Sequence, residues 1–279
     1  VSRGLGDVYK RQAMNRYGDH RTYRQALRGE RTAQDGSRFA GLKPVTARIK
    51  IEEEKTKAIS EHLIGVFFED LNYAADGGLY AELIQNRDFE YSPKDGHKDK
   101  NWNSTYAWSV QGKDATFTIG VDNPIHVNNP HYAILNIQNP GASLVNEGYD
   151  GIVVKKGEKY DFSMFSKVMN GEKGGETIIR LMSRDGKELA RTTISVSSKD
   201  WRKQTAVLKA VADADSALLA ISPQVEGEYA LDMISLFPQK TFKGHKNGLR
   251  ADLAQAIADI HPRFVRFPGG CLAHGDGVD

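Results

Sequence analysis

Two short stretches carry residue types that could do chemistry: VFFEDLN (66–72) and RFPGGCLAHGDG (266–277). In the first, Glu69 and Asp70 stand side by side behind an apolar run, and carboxylates are the residue type for acid–base work. Adjacent acids after a strand are, on spacing alone, more often a solvated turn or a cap. In the second, Gly269 and Gly270 permit a tight turn and a close backbone approach. Cys271 and His274 could supply a thiol nucleophile or a metal ligand. The metal reading is weak, because one Cys among scattered His residues lacks ligand spacing. Nothing nearby would activate the thiol. Beside Leu272, Cys271 is by default a small buried residue, and a lone His274 is structural.

Both stretches follow predicted strands. LIGVFF (63–68) is a short continuous apolar run, expected of a strand covered on both faces. ARIKIEEEKTKAIS (47–60) alternates like an edge strand. AADGG (74–78) is a turn, and GLYAELIQNRDFE (78–90) places Leu79, Leu83 and Ile84 on one helical face, with Phe89 near its end. GLRADLAQAIADIHPRF (248–264) repeats Leu249, Leu253, Ala256, Ile257 and Ile260 at helical spacing, and Pro262 stops that helix. PRFVRFPGG then predicts a second short buried strand. Strand, helix, helix and strand in this order fit the opening of a parallel barrel. Such barrels gather their sites at the C-terminal ends of the strands. Glu69, Asp70, Arg266, Cys271 and His274 would converge on one mouth.

The chain between these pieces has a different texture. Alternating segments recur between Gly, Asn and Asp turns: TFTIGVD, YAILNIQ, YDFSMFSKVM, TIIRLMSRDGKELARTTISV, KQTAVLKAV, ALLAISPQ and YALDMISLF. Asp-Gly in RDGKE is a hairpin signal. About eight strands at this spacing predict an antiparallel sandwich. The predicted fold class is therefore mixed: the opening of a (β/α)8 barrel, with its first two strands and helices, interrupted by an antiparallel β-sandwich. Trp102, Tyr106, Trp108 and Trp201 are candidate ligand-stacking aromatics in the insert, although core packing or loop cover is their plainer role.

The formal charge of +2 over 279 residues hides an asymmetry. Residues 1–40 hold nine Lys/Arg against four acids, and the other 239 hold 29 against 32. Beyond its basic head the chain is mildly acidic, with no basic face for nucleic acid. A single Cys excludes an internal disulfide framework. No apolar run is long enough for a membrane span, and no signal peptide is visible at the start. SRGLGDVYKRQ (2–12) is similar to the translation of adapter DNA used in transposase-based sequencing libraries. Residues 1–12 are thus expected to be an adapter scar. Residues 13–45, polar and arginine-rich at first, are expected to be a disordered leader or linker.

IGVFFEDLNYAADGGLYAELIQNRDFEY and FVRFPGGCLAHGDGVD together resemble the start of an α-L-arabinofuranosidase of glycoside hydrolase family 51. The similarity is to the bacterial group with a carbohydrate-binding-like sandwich inserted early in the barrel. DFSMFSKV and YALDMISLFP resemble that insert. The FFED…AADGGLYAEL…QNR series argues against a xylanase or glucanase with a similar layout.

The resemblance implies a retaining exo-hydrolase that removes terminal α-L-arabinofuranosyl units from arabinan, arabinoxylan and similar polymers. Two glutamates, on the fourth and seventh barrel strands, would serve as acid/base and nucleophile about 5 Å apart. Both would lie beyond Asp279, so no catalytic residue is assigned here and the chain is expected to be inactive as given. Glu69 matches the family's substrate-holding glutamate and Cys271 a residue lining the sugar subsite. The resemblance implies no metal or organic cofactor, a periplasmic or secreted location, and a full-length enzyme that is often a homo-oligomer. The expected partner is an arabinose-containing oligo- or polysaccharide, with no nucleic acid and no membrane.

The expected layout is 46–92 as the first strand–helix part, 93–240 as the inserted sandwich, and 241–279 as the second helix–strand part. A stand-alone carbohydrate-binding module is the alternative function.

Overall fold

The computed structural model describes residues 33, 35–43, 46–52, 56–70, 73–94, 101–170 and 173–268. Cys271, His274 and most of the leader fall outside them. The chain divides into two compact units, Val1–Ala58 and Ile59–Asp279.

In the first unit the described residues form one helical turn, α1 (Asp35–Arg38). The edge strand expected over 47–60 does not form among the described residues there. Its alternation is present, but Ile49 and Ile51 are exposed. A strand needs a hydrogen-bonding neighbour, and alternation alone supplies none.

The second unit is mostly antiparallel sheet. Its strands are β1 (Val66–Phe67), β2 (Trp108–Gln111), β3 (Ala115–Gly120), β4 (Tyr132–Ile137), β5 (Ser143–Asn146), β6 (Ile152–Val154) and β7 (Lys159–Val168). They continue with β8 (Gly175–Ser183), β9 (Glu188–Val196), β10 (Arg202–Lys209), β11 (Ala214–Pro223) and β12 (Gly227–Pro238). A 3-10 turn (Phe242–Gly244), helix α2 (Ala251–Asp259) and β13 (Val265–Arg266) follow. One sheet runs β10-β7-β12-β4-β3; the other runs β2-β5-β11-β8-β9, with β6 also paired to β11.

Residue alternation builds these sheets. In β7, Tyr160, Phe162, Met164 and Val168 are buried while Asp161, Ser163 and Lys167 stand out from the core, the period of two expected of a half-buried strand. Leu135, Phe162 and Leu236 from one sheet and Leu144, Ile179 and Leu219 from the other belong to one hydrophobic core. β8 and β9 join through the predicted turn. Gly186 sits at φ +87°, and the Ser183 N–H donates to the Lys187 carbonyl at 2.9 Å.

β12 changes partner along its length. Gly227–Leu231 pairs with β4. The register with β7 then shifts between Asp232 and Ser235, and Met233 takes φ +48°, as a β-bulge requires. Past this bulge the freed edge bonds to the segment after β1. The Leu83 N–H donates to the Leu236 carbonyl at 3.0 Å, and the Ile234 N–H to that of Arg87 at 2.9 Å.

The helix expected over 78–90 is therefore absent. Its apolar residues are used differently: Ile84 and Phe89 enter the core of the sheets, and Leu83 bonds the edge of β12. Tertiary pairing overrides the helical spacing here.

β1 and β13 form a separate parallel pair, Val66 opposite Val265 and Phe67 opposite Arg266. The predicted strands are in place but short, and they are not covered on both faces. Phe67 is 53% exposed and Phe267 68%. α2 ends before Pro262 as predicted, yet Leu253 and Ile260 on its apolar stripe stay exposed and Ala254 is its buried residue. Among the described residues, only β13 pairs with β1.

Candidate functional site

The parallel pairing of β1 and β13 sends the residues that follow both strands out of the same edge. The Phe68 N–H donates to the Arg266 carbonyl at 3.0 Å. The Phe68 and Phe267 rings stack at 6.0 Å, and the Arg266 guanidinium lies 5.0 Å from the Phe67 ring centre. Glu69 leaves this edge half-buried. Arg266 thus joins the neighbourhood predicted for it. Cys271, His274 and both glycines of the PGG turn lie outside the described residues, so their convergence with Glu69 stays an expectation.

The segment after Glu69 is tied down on several sides. Asp70 Oδ1 accepts the Ala75 N–H at 2.9 Å, which makes Asp70 the brace of its own turn. Burial, with the Asp70 charge added, pushes the Asp76 carboxyl above its ordinary range. The Arg250 N–H donates to the Leu79 carbonyl at 2.9 Å and the Ala81 N–H to that of Gly248 at 3.2 Å. The Tyr80 ring meets Phe237 of β12 edge-on at 5.3 Å.

Tyr149, on the β5–β6 connection, closes this arrangement over Gly77. A Cβ at Gly77 would fall 2.3 Å from the Tyr149 ring, and the backbone there is at φ +79°. Both facts demand glycine. Gly77→Ala is expected to cost about 2 kcal/mol or more, from left-handed strain and displacement of the ring. A urea titration that finds the variant as stable as the parent would contradict this.

The candidate aromatics separate into two groups. Trp108 is core: it is buried, and its indole N–H donates to the Asn86 carbonyl at 2.8 Å. Trp201 donates to the Asn123 carbonyl at 2.9 Å, and Lys167 Nζ sits 4.6 Å from its ring centre. Trp102 and Tyr106 instead cluster with Tyr91. Trp102 stacks on Tyr91 at 4.3 Å and 15° and meets Tyr106 at 4.7 Å. Asn86, at φ +50°, holds their loop by donating from Nδ2 to the Ser104 and Tyr106 carbonyls, each at 3.0 Å.

Two buried carboxyls escaped the sequence reading. Glu82 is 2% exposed and raised by burial. Its oxygens accept the N–H groups of Leu83, Ile84 and Leu236 and the Ser235 hydroxyl. Asp232 is fully buried at the β12 bulge, where it accepts from Met233 N and Asn129 Nδ2. Its signal was available: a single acid inside the otherwise apolar run YALDMISLF. Among the described residues, no three His, Cys, Asp or Glu are grouped to hold a metal ion, and no helix is long and apolar enough to cross a membrane.

A scan of protein-family models finds no match. The chain is 39% identical over 227 residues to an extracellular exo-α-L-arabinofuranosidase of Streptomyces chartreusis, covering 81% of this chain and 26% of that protein. It is 32% identical to α-L-arabinofuranosidase 1 of Arabidopsis thaliana, covering 83% of this chain and 34% of that one. Its fold superposes on the arabinose-bound MgGH51 α-L-arabinofuranosidase with a TM-score of 0.65 at 28% identity, over 75% of this chain and 35% of that one. The chain is thus similar, over about four fifths of its length, to proteins named as α-L-arabinofuranosidases. It spans about a quarter to a third of the length of the curated relatives it matches.

Proposed function

We propose that this chain is part of a retaining, exo-acting α-L-arabinofuranosidase that removes terminal α-L-arabinofuranosyl residues from arabinose-containing polysaccharides. The observation that carries this reading is the similarity to named α-L-arabinofuranosidases over four fifths of the chain. On this reading β1, α2 and β13 belong to the opening of a (β/α)8 barrel. Residues 93–240 are an inserted, carbohydrate-binding-like β-sandwich, and the barrel resumes over 241–279.

Glu69 then holds a sugar hydroxyl at the mouth and Cys271 lines the same subsite. Acceptance by a carboxylate gives a strong, oriented hydrogen bond, which suits positioning more than bond breaking. Retention needs two carboxyls about 5 Å apart, one protonated and one ionised, with a covalent glycosyl-enzyme between two displacements. Those two glutamates lie outside residues 1–279, so this chain by itself does not turn over substrate. The protein acts outside the cytoplasm, on polymers or their oligosaccharides, and the full-length enzyme forms homo-oligomers.

The test is hydrolysis of para-nitrophenyl α-L-arabinofuranoside by the gene extended to its natural stop, beside the matching β-D-xylopyranoside. Turnover of the furanoside is expected. Turnover of the xylopyranoside alone would reject the reading. A stand-alone carbohydrate-binding module is the second reading, favoured by the half-buried aromatic cluster around Trp102. It predicts sugar binding with no hydrolysis in any extended form.

A further inference from the structure

Five aromatic rings form a cluster that the sugar-holding role of Glu69 leaves unused, with Tyr91, Trp102 and Tyr106 in mutual contact. Tyr73 meets Tyr149 edge-on at 5.2 Å. The side chains of Tyr149 and Tyr91 are hydrogen-bonded to one another. Tyr91 stacks on Trp102 at 4.3 Å, and Trp102 meets Tyr106 at 4.7 Å. All five are half-buried, in contrast to the buried Phe89 and Trp108 next to them. Each therefore keeps part of its surface open to solvent. The cluster spans the turn that follows Glu69 and the loop before β2.

Its border is polar and acidic. Asp76 acts electrostatically on both Tyr91 and Tyr149. Gln85, 3% exposed, hydrogen-bonds the Tyr91 side chain while its Nε2 has no hydrogen-bond partner. Rings with apolar faces and hydroxyl edges, beside amides and carboxyls, match a ligand that is itself apolar on its ring faces and hydroxylated at its rim. Asp70 and Asp88 in turn act electrostatically on Asp76, and such acids would repel the phosphates of a nucleic acid.

We propose that Tyr73, Tyr149, Tyr91, Trp102 and Tyr106 form a binding wall for the neutral polysaccharide chain that bears the arabinose. The wall extends the contact from one sugar at Glu69 to several sugars along the polymer. The identity of the polymer rests on the arabinofuranosidase reading; the wall itself rests on the rings.

The test is calorimetric titration of this chain with a linear arabinan pentasaccharide and with L-arabinose. The pentasaccharide is expected to bind about tenfold or more tightly than arabinose, since ring stacking adds over several sugars. Trp102→Ala should weaken the pentasaccharide about tenfold and leave arabinose unchanged. Trp102→Phe should recover most of the loss, and Trp201→Ala should have no effect. Tyr106→Ala is the second variant, and thermal melts confirm that each variant is folded. Pentasaccharide affinity that survives both Trp102→Ala and Tyr106→Ala overturns the wall, and so does an absence of pentasaccharide binding. Neither result touches the arabinofuranosidase reading, which fails separately if the extended enzyme does not hydrolyse the furanoside.

Discussion

Glu82→Ala is expected to lose about 4 kcal/mol of folding stability, because several buried donors lose their acceptor together. The carboxylate accepts from Leu236 N at 2.9 Å and from the Ser235 hydroxyl at 2.5 Å, which ties β12 to the segment that follows β1. It also accepts from Leu83 N and Ile84 N at 3.0 and 3.1 Å, which fixes the extended path of that segment. Arg87 stands 3.8 Å away, too far for more than a weak supporting charge. Alanine strips the acceptor from Ile84 N, Leu236 N and the Ser235 hydroxyl, leaves Leu83 N with the Leu236 carbonyl alone, and opens a cavity. Glu82→Gln keeps Oε1 and can turn its amide toward Ser235, so it should cost about 1 kcal/mol. Urea unfolding with an unchanged slope would measure both. An alanine variant within 1 kcal/mol of the parent would show that these bonds are easily replaced by water.

Asp232→Asn is expected to stabilise the protein at pH 8 and to change little at pH 4. Burial pushes the Asp232 carboxyl up to about 8, against the Met233 N–H and with help from the Asp88 and Glu90 charges. In the unfolded chain the same group titrates near 4. Between these values the folded state holds a proton that the unfolded state has lost. Stability therefore falls as pH rises from about 4 to about 8 and levels off above that. The penalty at the top of the window is on the order of a few kcal/mol. Asparagine stays neutral throughout, keeps an acceptor for Met233 N, and needs Asn129 to present its carbonyl. A rise in Tm of about 5 °C or more at pH 8, shrinking toward pH 4, is the expected signature. Parallel Tm curves for the two proteins across this range would contradict it.

The sequence exposed the regular part of this fold through local signals. β7 alternates cleanly, Asp-Gly marks the β8–β9 turn, and Pro262 lies just past the end of α2. Three short strands left no such mark. β5 is SLVN and buried at all four positions, so it has no alternation to detect. β2 and β6 have only four and three residues. The error at 78–90 has a different origin. Leu79, Leu83 and Ile84 do have helical spacing, but the free edge of β12 past its bulge, which Leu83 and Arg87 meet, is made by residues far along the chain. No local pattern announces it.

Glu69 was legible as a candidate by type and position, since a carboxyl beyond a strand of a parallel pair is an expected place for chemistry, and it does follow β1, half-buried. Its supports were not. Tyr149 reaches Gly77 from another element, and only the folded backbone reveals why that residue must be glycine.

The most direct measurement is hydrolysis of para-nitrophenyl α-L-arabinofuranoside by the 279-residue chain itself, beside its extended form. The proposed reading predicts a silent chain and an active extended form, because it gives Glu69 a sugar-holding role and assigns the acid/base and nucleophile elsewhere. Turnover by the 279 residues alone would contradict that assignment and would move the chemistry to Glu69 or Asp70.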